Sequence, residues 1–297
     1  KIKNISFNKM QRIEPRQECL DVSKSNDWIA SLILGGEPFY VARLGLGYES
    51  ESSFLADKYK IAQNYCWFPQ IHQENGIYVD EGENLEEYWE VYNKSLENAD
   101  CLAIFADCVR MHDKQRHYKV KHKLKCLTHE SVEPFYALHQ SCIPWTKHLG
   151  DKKVLIISPF VESFKKQIEA GFSIFNNKSL WCREQQFVFY KCFNATCSNR
   201  PHSSWKETLG IMIEEIDKLD FDIALVSAGG YGLPLCSFIR GKDKSAIYVG
   251  GGLQLMFGVM GKRWENNELF RLNTSFIYPS AEEVPENKEQ IEGGCYF

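Results

Sequence analysis

Residues 221–235 read FDIALVSAGGYGLPL. From Phe221 to Ser227 the run is almost continuously apolar, as in a parallel strand covered on both faces; a strand with one wet face would alternate. It runs into Gly229, Gly230 and Gly232, with Pro234 at the first turn of the helix expected to follow. Strand, glycine turn and helix form the repeating unit of a parallel sheet. Similar strand patterns occur at residues 38–44 (PFYVARL), 101–105, 153–158 (KVLIIS), 186–192 and 245–249. Helical patterns lie between them. From Trp205, apolar residues recur at Leu209, Met212, Ile216 and Leu219, and Ser204 with Glu207 has the form of a capping box. A second helix is expected from about Leu85, with Asn84 as cap and Tyr88, Trp89, Tyr92 and Leu96 on one face. The expected fold is α/β: a Rossmann-like, mostly parallel sheet with helices on both faces, joined by right-handed crossovers.

Composition narrows the function. The 297 residues are 44% hydrophobic and 25% charged, values of an ordinary globular enzyme. A net charge of −4 disfavours a general nucleic-acid binder, and no apolar run is long enough to span a bilayer. The eleven cysteines include no CxxC pair, so they read as reduced thiols in a cytoplasmic compartment. The chain starts at Lys1 without a signal-like segment and is expected to be an excised piece of a longer one. Within it, one domain over residues 1–297 is expected, with an N-terminal part to residue 150 and a nucleotide-binding part from 151. Residues 110–125 carry seven Lys or Arg against one Asp. They read as a solvated face, or as a patch for an anionic acceptor, a lipid phosphate or a membrane surface.

Ligands of open parallel sheets bind beyond the carboxyl ends of the strands. Four segments are expected there. The first holds Arg43, Gly45, Gly47, Glu49 and Glu51; its two carboxylates form an ExE pair suited to a divalent cation on a diphosphate, or are solvated acids of a turn. The second holds Ser227, Gly229, Gly230, Tyr231 and Gly232, whose bare N–H groups at a helix start suit a phosphate. The dinucleotide pattern is incomplete, since Leu235 stands where its third glycine belongs. In the third, Gly250, Gly251, Gly252, Gln254, Arg263 and Trp264 offer close backbone approach, a cation and an aromatic plane. In the fourth, Glu162 after ISPFV is either an acid at a helix N-terminus or a general base. The aromatic residues 64–69 are expected to shield a reactive centre or to pack.

Taken together, VARLGLGYE, ISPF with Glu162, WKETL before FDIALVSAGGYGLPL, and AIYVGGGLQLMFGVMGKRW resemble the GT-D-type glycosyltransferases, over roughly residues 28–297. The closer likeness is to relatives found in polysaccharide and capsule gene sets. The resemblance implies transfer of a sugar from a nucleotide donor; a UDP- or GDP-sugar as donor and a glycan or lipid-linked oligosaccharide as acceptor are expected, and peripheral membrane contact is expected through the basic stretch. For such a transfer Arg43, Glu49 and Glu162 are expected as catalytic residues, with Glu162 or Glu49 as general base and the glycine loops at 229–232 and 250–252 stabilising the departing nucleoside diphosphate. The family's best-known branch carries Arg-x-Gly-Asp-x-Glu for a divalent metal such as Mn2+ or Mg2+. Here Arg43 and Gly45 remain, Leu46 replaces the aspartate, and one extra residue precedes Glu49. Either Glu49 with Glu51 takes the metal role, or cations such as Arg43 and Arg263 replace it. Two rival readings are a methyltransferase using S-adenosylmethionine and a non-catalytic glycan-binding domain of the same fold.

Overall fold

The computed structural model describes residues 21–60, 68–79, 85–174, 179–270 and 275–297. Seven parallel strands form one sheet in the order β3-β2-β1-β7-β6-β4-β5. They are β1 (Tyr40–Arg43), β2 (Cys101–Ile104), β3 (Lys125–Thr128), β4 (Lys153–Ser158), β5 (Gln186–Lys191), β6 (Ile223–Val226) and β7 (Ser245–Tyr248). Six lie where the apolar runs place them, most trimmed at the ends. The seventh, β3, coincides with none of those runs. It is an edge strand whose first residue is exposed, and only Cys126 and Leu127 are buried in it. So short an apolar stretch after a basic segment gives no recognisable pattern.

Around the sheet lie α1 (Val22–Gly35), α2 (Tyr48–Tyr59), α3 (Phe68–Asn75), α4 (Glu86–Lys94), α5 (Val109–His122), α6 (Phe135–His139), α7 (Val161–Glu169), α8 (Trp205–Ile216), α9 (Gly232–Gly241) and α10 (Leu253–Met256). Successive strand residues point to opposite faces. Tyr40, Ala42, Leu155, Ile157, Ala224 and Val226 therefore enter a core with Phe54 of α2, Tyr88 of α4 and Met212 of α8. Val41, Val154, Ile156, Ile223 and Leu225 enter a second core with Ile29 of α1, Phe164 of α7 and Leu253 of α10. Two apolar layers on one sheet explain the unbroken runs. Pairing of β1 with β7 brings the two halves of the sequence into one sheet.

The start of α8 follows its sequence signal. Ser204 Oγ accepts the Glu207 N–H at 3.1 Å. The Glu207 carboxylate reaches back one residue further than a standard capping box, to the Ser203 N–H at 3.0 Å. Replacing Ser204 by alanine is expected to cost about 1 kcal/mol, read as a lower urea midpoint at unchanged slope. The helix expected from Leu85 begins at Glu86 with Leu85 at its cap position. Asn84 lies outside the described residues, as do 64–67 of the aromatic segment. None of the nine described cysteines is in a disulfide. No described helix is long and apolar enough to cross a membrane.

Candidate active site

A cavity of about 290 Å3 opens at the carboxyl edge of the sheet. Chain leaving β1, β4, β5, β6 and β7 lines it, which is where an open parallel sheet binds its ligand. Of the residues singled out from sequence, Arg43, Gly45, Gly47, Glu49, Ser227, Gly229, Tyr231, Gly250, Gly251, Gln254 and Arg263 are on its wall. Five polar atoms of wall residues are buried without a hydrogen-bond partner: Arg43 Nε, Glu49 Oε2, Asn75 Oδ1, Tyr231 Oη and Gln254 Oε1. Buried polar atoms are normally paired, because leaving one unpaired costs about 1–3 kcal/mol. Five of them around one cavity mark a place suited to a polar ligand.

Glu49 is the most perturbed carboxylate of that wall. It sits in the first turn of α2 and is 7% exposed. Burial pushes its pKa up to about 7, against the lowering effect of its own and Ser50's backbone N–H groups and of the Lys114 charge, with Glu74 adding to the rise. The side chain folds back beneath the turn before it. A Cβ on Gly45 would overlap Glu49 Oε1, and one on Gly47 would lie 2.7 Å from Asn75 Nδ2. These two glycines therefore make room for the site's own acid and amide.

Glu51 does not join Glu49. Two residues along a helix turn the side chain through about 200°, and the Glu51 carboxylate pairs with Lys114, itself 2% exposed. The expected Glu49–Glu51 cation seat is thus not formed. Among the described residues no three His, Cys, Asp or Glu are grouped to hold a metal ion. The two carboxylates diverge, and the residues present do not fit the divalent cation implied by the family resemblance.

Arg43 ends β1 and is clamped on several sides. Its Nη1 donates to Glu133 Oε1 at 3.2 Å, and its guanidinium lies 5.4 Å from the Phe105 ring centre. The triple glycine closes over this pair. Gly250, at φ +71°, would carry a Cβ into Arg43 Nη2, while Gly252 would carry one into the Glu133 carboxylate. A Cβ on Gly251 would lie 2.7 Å from the Tyr296 ring. The close approach expected at these glycines is made by side chains of the protein, while Gly250 and Gly251 remain on the cavity wall. Arg263 lies 5.0 Å from the Tyr296 ring centre and 5.1 Å from that of Trp264.

Several expected site residues lie off the cavity wall. Gly230, Gly232, Gly252 and Trp264 do not line it. A side chain on Gly230 would meet Ile77 and, at 2.9 Å, the Asn75 carbonyl, while one on Gly232 would meet the Tyr248 ring. Gly230→Val is therefore expected to destabilise the fold by about 1–3 kcal/mol through overpacking, seen as a lower thermal midpoint without ligand.

Glu162 also lies off the wall. It is in the first turn of α7, half exposed, and paired with Lys165 at 2.8 Å, so it is the helix-end acid rather than a base in the cleft. The N-terminus of α7 is capped by buried Glu283, which accepts the Glu162 N–H at 2.8 Å and the Ser163 N–H at 3.2 Å.

Most of the basic stretch forms α5, and part of its charge is used internally. Lys114 is buried against Glu51, while His117 at 2.6 Å and Lys121 at 2.7 Å hold Asp57 of α2. Arg110 reaches the cavity. Glu74, Asn75, Glu292 and Tyr296 also line the cavity and carry no signal of it in the sequence. They come from a helix end and from the segment after residue 290, neither of which follows a strand. The part-buried partner of Arg43, Glu133, stands in SVEPFY with no distinguishing neighbour.

No family model matches the chain, and no curated protein does. Among solved structures it is similar to one described as "A New Glycosyltransferase (DUF1792) from Streptococcus sanguinis". The identity is 13%, the TM-score 0.44, and the match covers 93% of this chain and 98% of that one. A second, described as a selenomethionine-substituted structure of domain of unknown function 1792, matches at 12% identity and TM-score 0.35, over 90% of this chain and 99% of that one. Likenesses this distant assign neither a family nor an activity.

Proposed function

We propose that the chain transfers a sugar from a nucleotide-sugar donor to a hydroxyl of a glycan or lipid-linked acceptor, with Glu49 as general base. The observation that carries this reading is Glu49 itself. Its buried Oε2 has no partner, its pKa is pushed up to about 7, and it shares a cavity wall with Arg43, Arg110 and Arg263. A base works best when its pKa lies near the working pH. The arginines are placed to stabilise a departing diphosphate.

In the proposed step the acceptor O–H gives its proton to Glu49 Oε2 as its oxygen bonds to the anomeric carbon. The bond from that carbon to the phosphate oxygen breaks, and its electron pair leaves with the nucleoside diphosphate. Arg43 and Arg263 balance the charge that develops, together with N–H groups of the 3-10 turn Gly229–Tyr231 ahead of α9. The aromatic wall of Phe160, Phe193, Tyr231, Tyr248 and Tyr296 limits water, which would otherwise hydrolyse the donor. No step is routed through a metal, since Glu51 faces Lys114.

The test is calorimetric titration with UDP, GDP and S-adenosylhomocysteine, followed by sugar-transfer assays with the matching donors. Binding of one nucleoside diphosphate and none of S-adenosylhomocysteine is expected. Preference for S-adenosylhomocysteine would replace this reading by the methyltransferase one.

A further inference from the structure

Glu133 stands behind the cavity wall, just after the 3-10 turn His129–Val132. Its carboxylate is 14% exposed, accepts Arg43 Nη1 at 3.2 Å, and is held above the usual carboxylate range by burial, against the charge of Arg43. Gly252 leaves the space that this carboxylate fills, and Gly250 leaves the space for the Arg43 guanidinium. One edge of the guanidinium is thus occupied by an anion of the protein. Arg43 Nε, buried and without a partner, remains on a residue that lines the cavity.

We propose that Glu133 is a resident counter-ion: a positioning residue that holds Arg43 in place without ligand and weakens its grip on the diphosphate. This rests on the reading of the cavity as a nucleoside-diphosphate site. A guanidinium has five donors, so it can hold a carboxylate and a phosphate at once. The two anions then lie on one cation, and their repulsion lowers phosphate affinity, so the spent nucleotide leaves more readily. A purely structural Glu133 predicts the opposite sign, since loosening Arg43 would weaken anion binding along with the fold.

The experiment is calorimetric titration of wild type, Glu133→Gln and the double variant Arg43→Met/Glu133→Gln with inorganic pyrophosphate, UDP and GDP, beside thermal midpoints with and without each. Glu133→Gln is expected to melt lower without ligand, to bind pyrophosphate at least about tenfold tighter, and to gain more in midpoint when ligand is added. The double variant is expected to lose the tighter binding. Should Glu133→Gln fail to fold, Glu133→Asp, whose shorter side chain withdraws the carboxylate, is expected to tighten binding in the same direction. Equal or weaker pyrophosphate binding by the folded variant overturns the proposal, as does absence of pyrophosphate binding to both wild type and variant. If pyrophosphate tightens while UDP and GDP bind no better than pyrophosphate, the counter-ion stands and the sugar-nucleotide reading falls.

Discussion

Glu49→Gln is expected to slow sugar transfer by about 10²–10⁴-fold, the usual worth of a positioned general base. Glutamine keeps the shape of the side chain under Gly45 and Gly47 but cannot take a proton. The same change is expected to stabilise the fold at neutral and alkaline pH. An ordinary glutamate has its pKa near 4.5, whereas burial pushes that of Glu49 to about 7. Between those values the folded chain binds a proton that the unfolded chain has released. Wild-type stability therefore falls as pH rises from about 4.5 to about 7, and the loss is complete above that. At 1.36 kcal/mol per pKa unit the loss is about 3 kcal/mol. Glu49→Gln lacks this titration, so its urea midpoint should exceed that of wild type by an amount that grows with pH to about 7 and then levels. A variant that loses activity and stability together at pH 8 would mean that the carboxylate is a packing group.

Arg43→Met is expected to be the most damaging single change to stability among the cavity residues. It leaves Glu133, whose side chain is only 14% exposed, with its ion-pair partner gone. Breaking a buried pair from one side costs about 3–5 kcal/mol. The sign with pH follows from Glu133. Its pKa is already raised by burial and is lowered by Arg43, so removing the arginine raises it further. The neutral acid is tolerated in the folded chain and the anion is not. The deficit should therefore be smallest in acid and grow as pH rises through the raised value. Adding Glu133→Gln to Arg43→Met should recover part of the loss at neutral pH. Denaturant unfolding at several pH values checks both statements. An unchanged deficit in the double variant would show that the two residues do not act as a pair.

The sheet was legible where burial on both faces left a continuous apolar run, as in KVLIIS and FDIALVS, and illegible where an edge strand buried only Cys126 and Leu127. For the site, strand-end position was the useful signal: Arg43, Glu49 and Ser227 lie on the cavity because β1 and β6 end beside it. The same signal failed at Glu162, where the first turn of a helix carries the acid off the wall into a pair with Lys165. The glycines pointed to the right place for a different reason. Glycine marks where something comes close to the backbone, but not what comes close. At 250–252 it is Arg43, Tyr296 and Glu133. Helical periodicity held enough information to separate Glu49 from Glu51, since residues two apart cannot face one ligand. Glu74, Asn75, Glu133 and Glu292 were beyond reach, because tertiary folding brings them to the strand ends from distant segments.

The central claim is that Glu49 is the base of a sugar-transfer site at the carboxyl edge of the sheet. Its most direct test is nucleoside diphosphate release from a panel of UDP- and GDP-sugars, with water or a saccharide as acceptor, measured from pH 5 to pH 9 for wild type and Glu49→Gln. The account predicts release from at least one donor, with a wild-type rate that climbs tenfold per pH unit and levels near pH 7, where Glu49 is ionised, and a slow, flat profile for Glu49→Gln. Equal rates and parallel profiles for the two proteins, or no release from any donor, would contradict it.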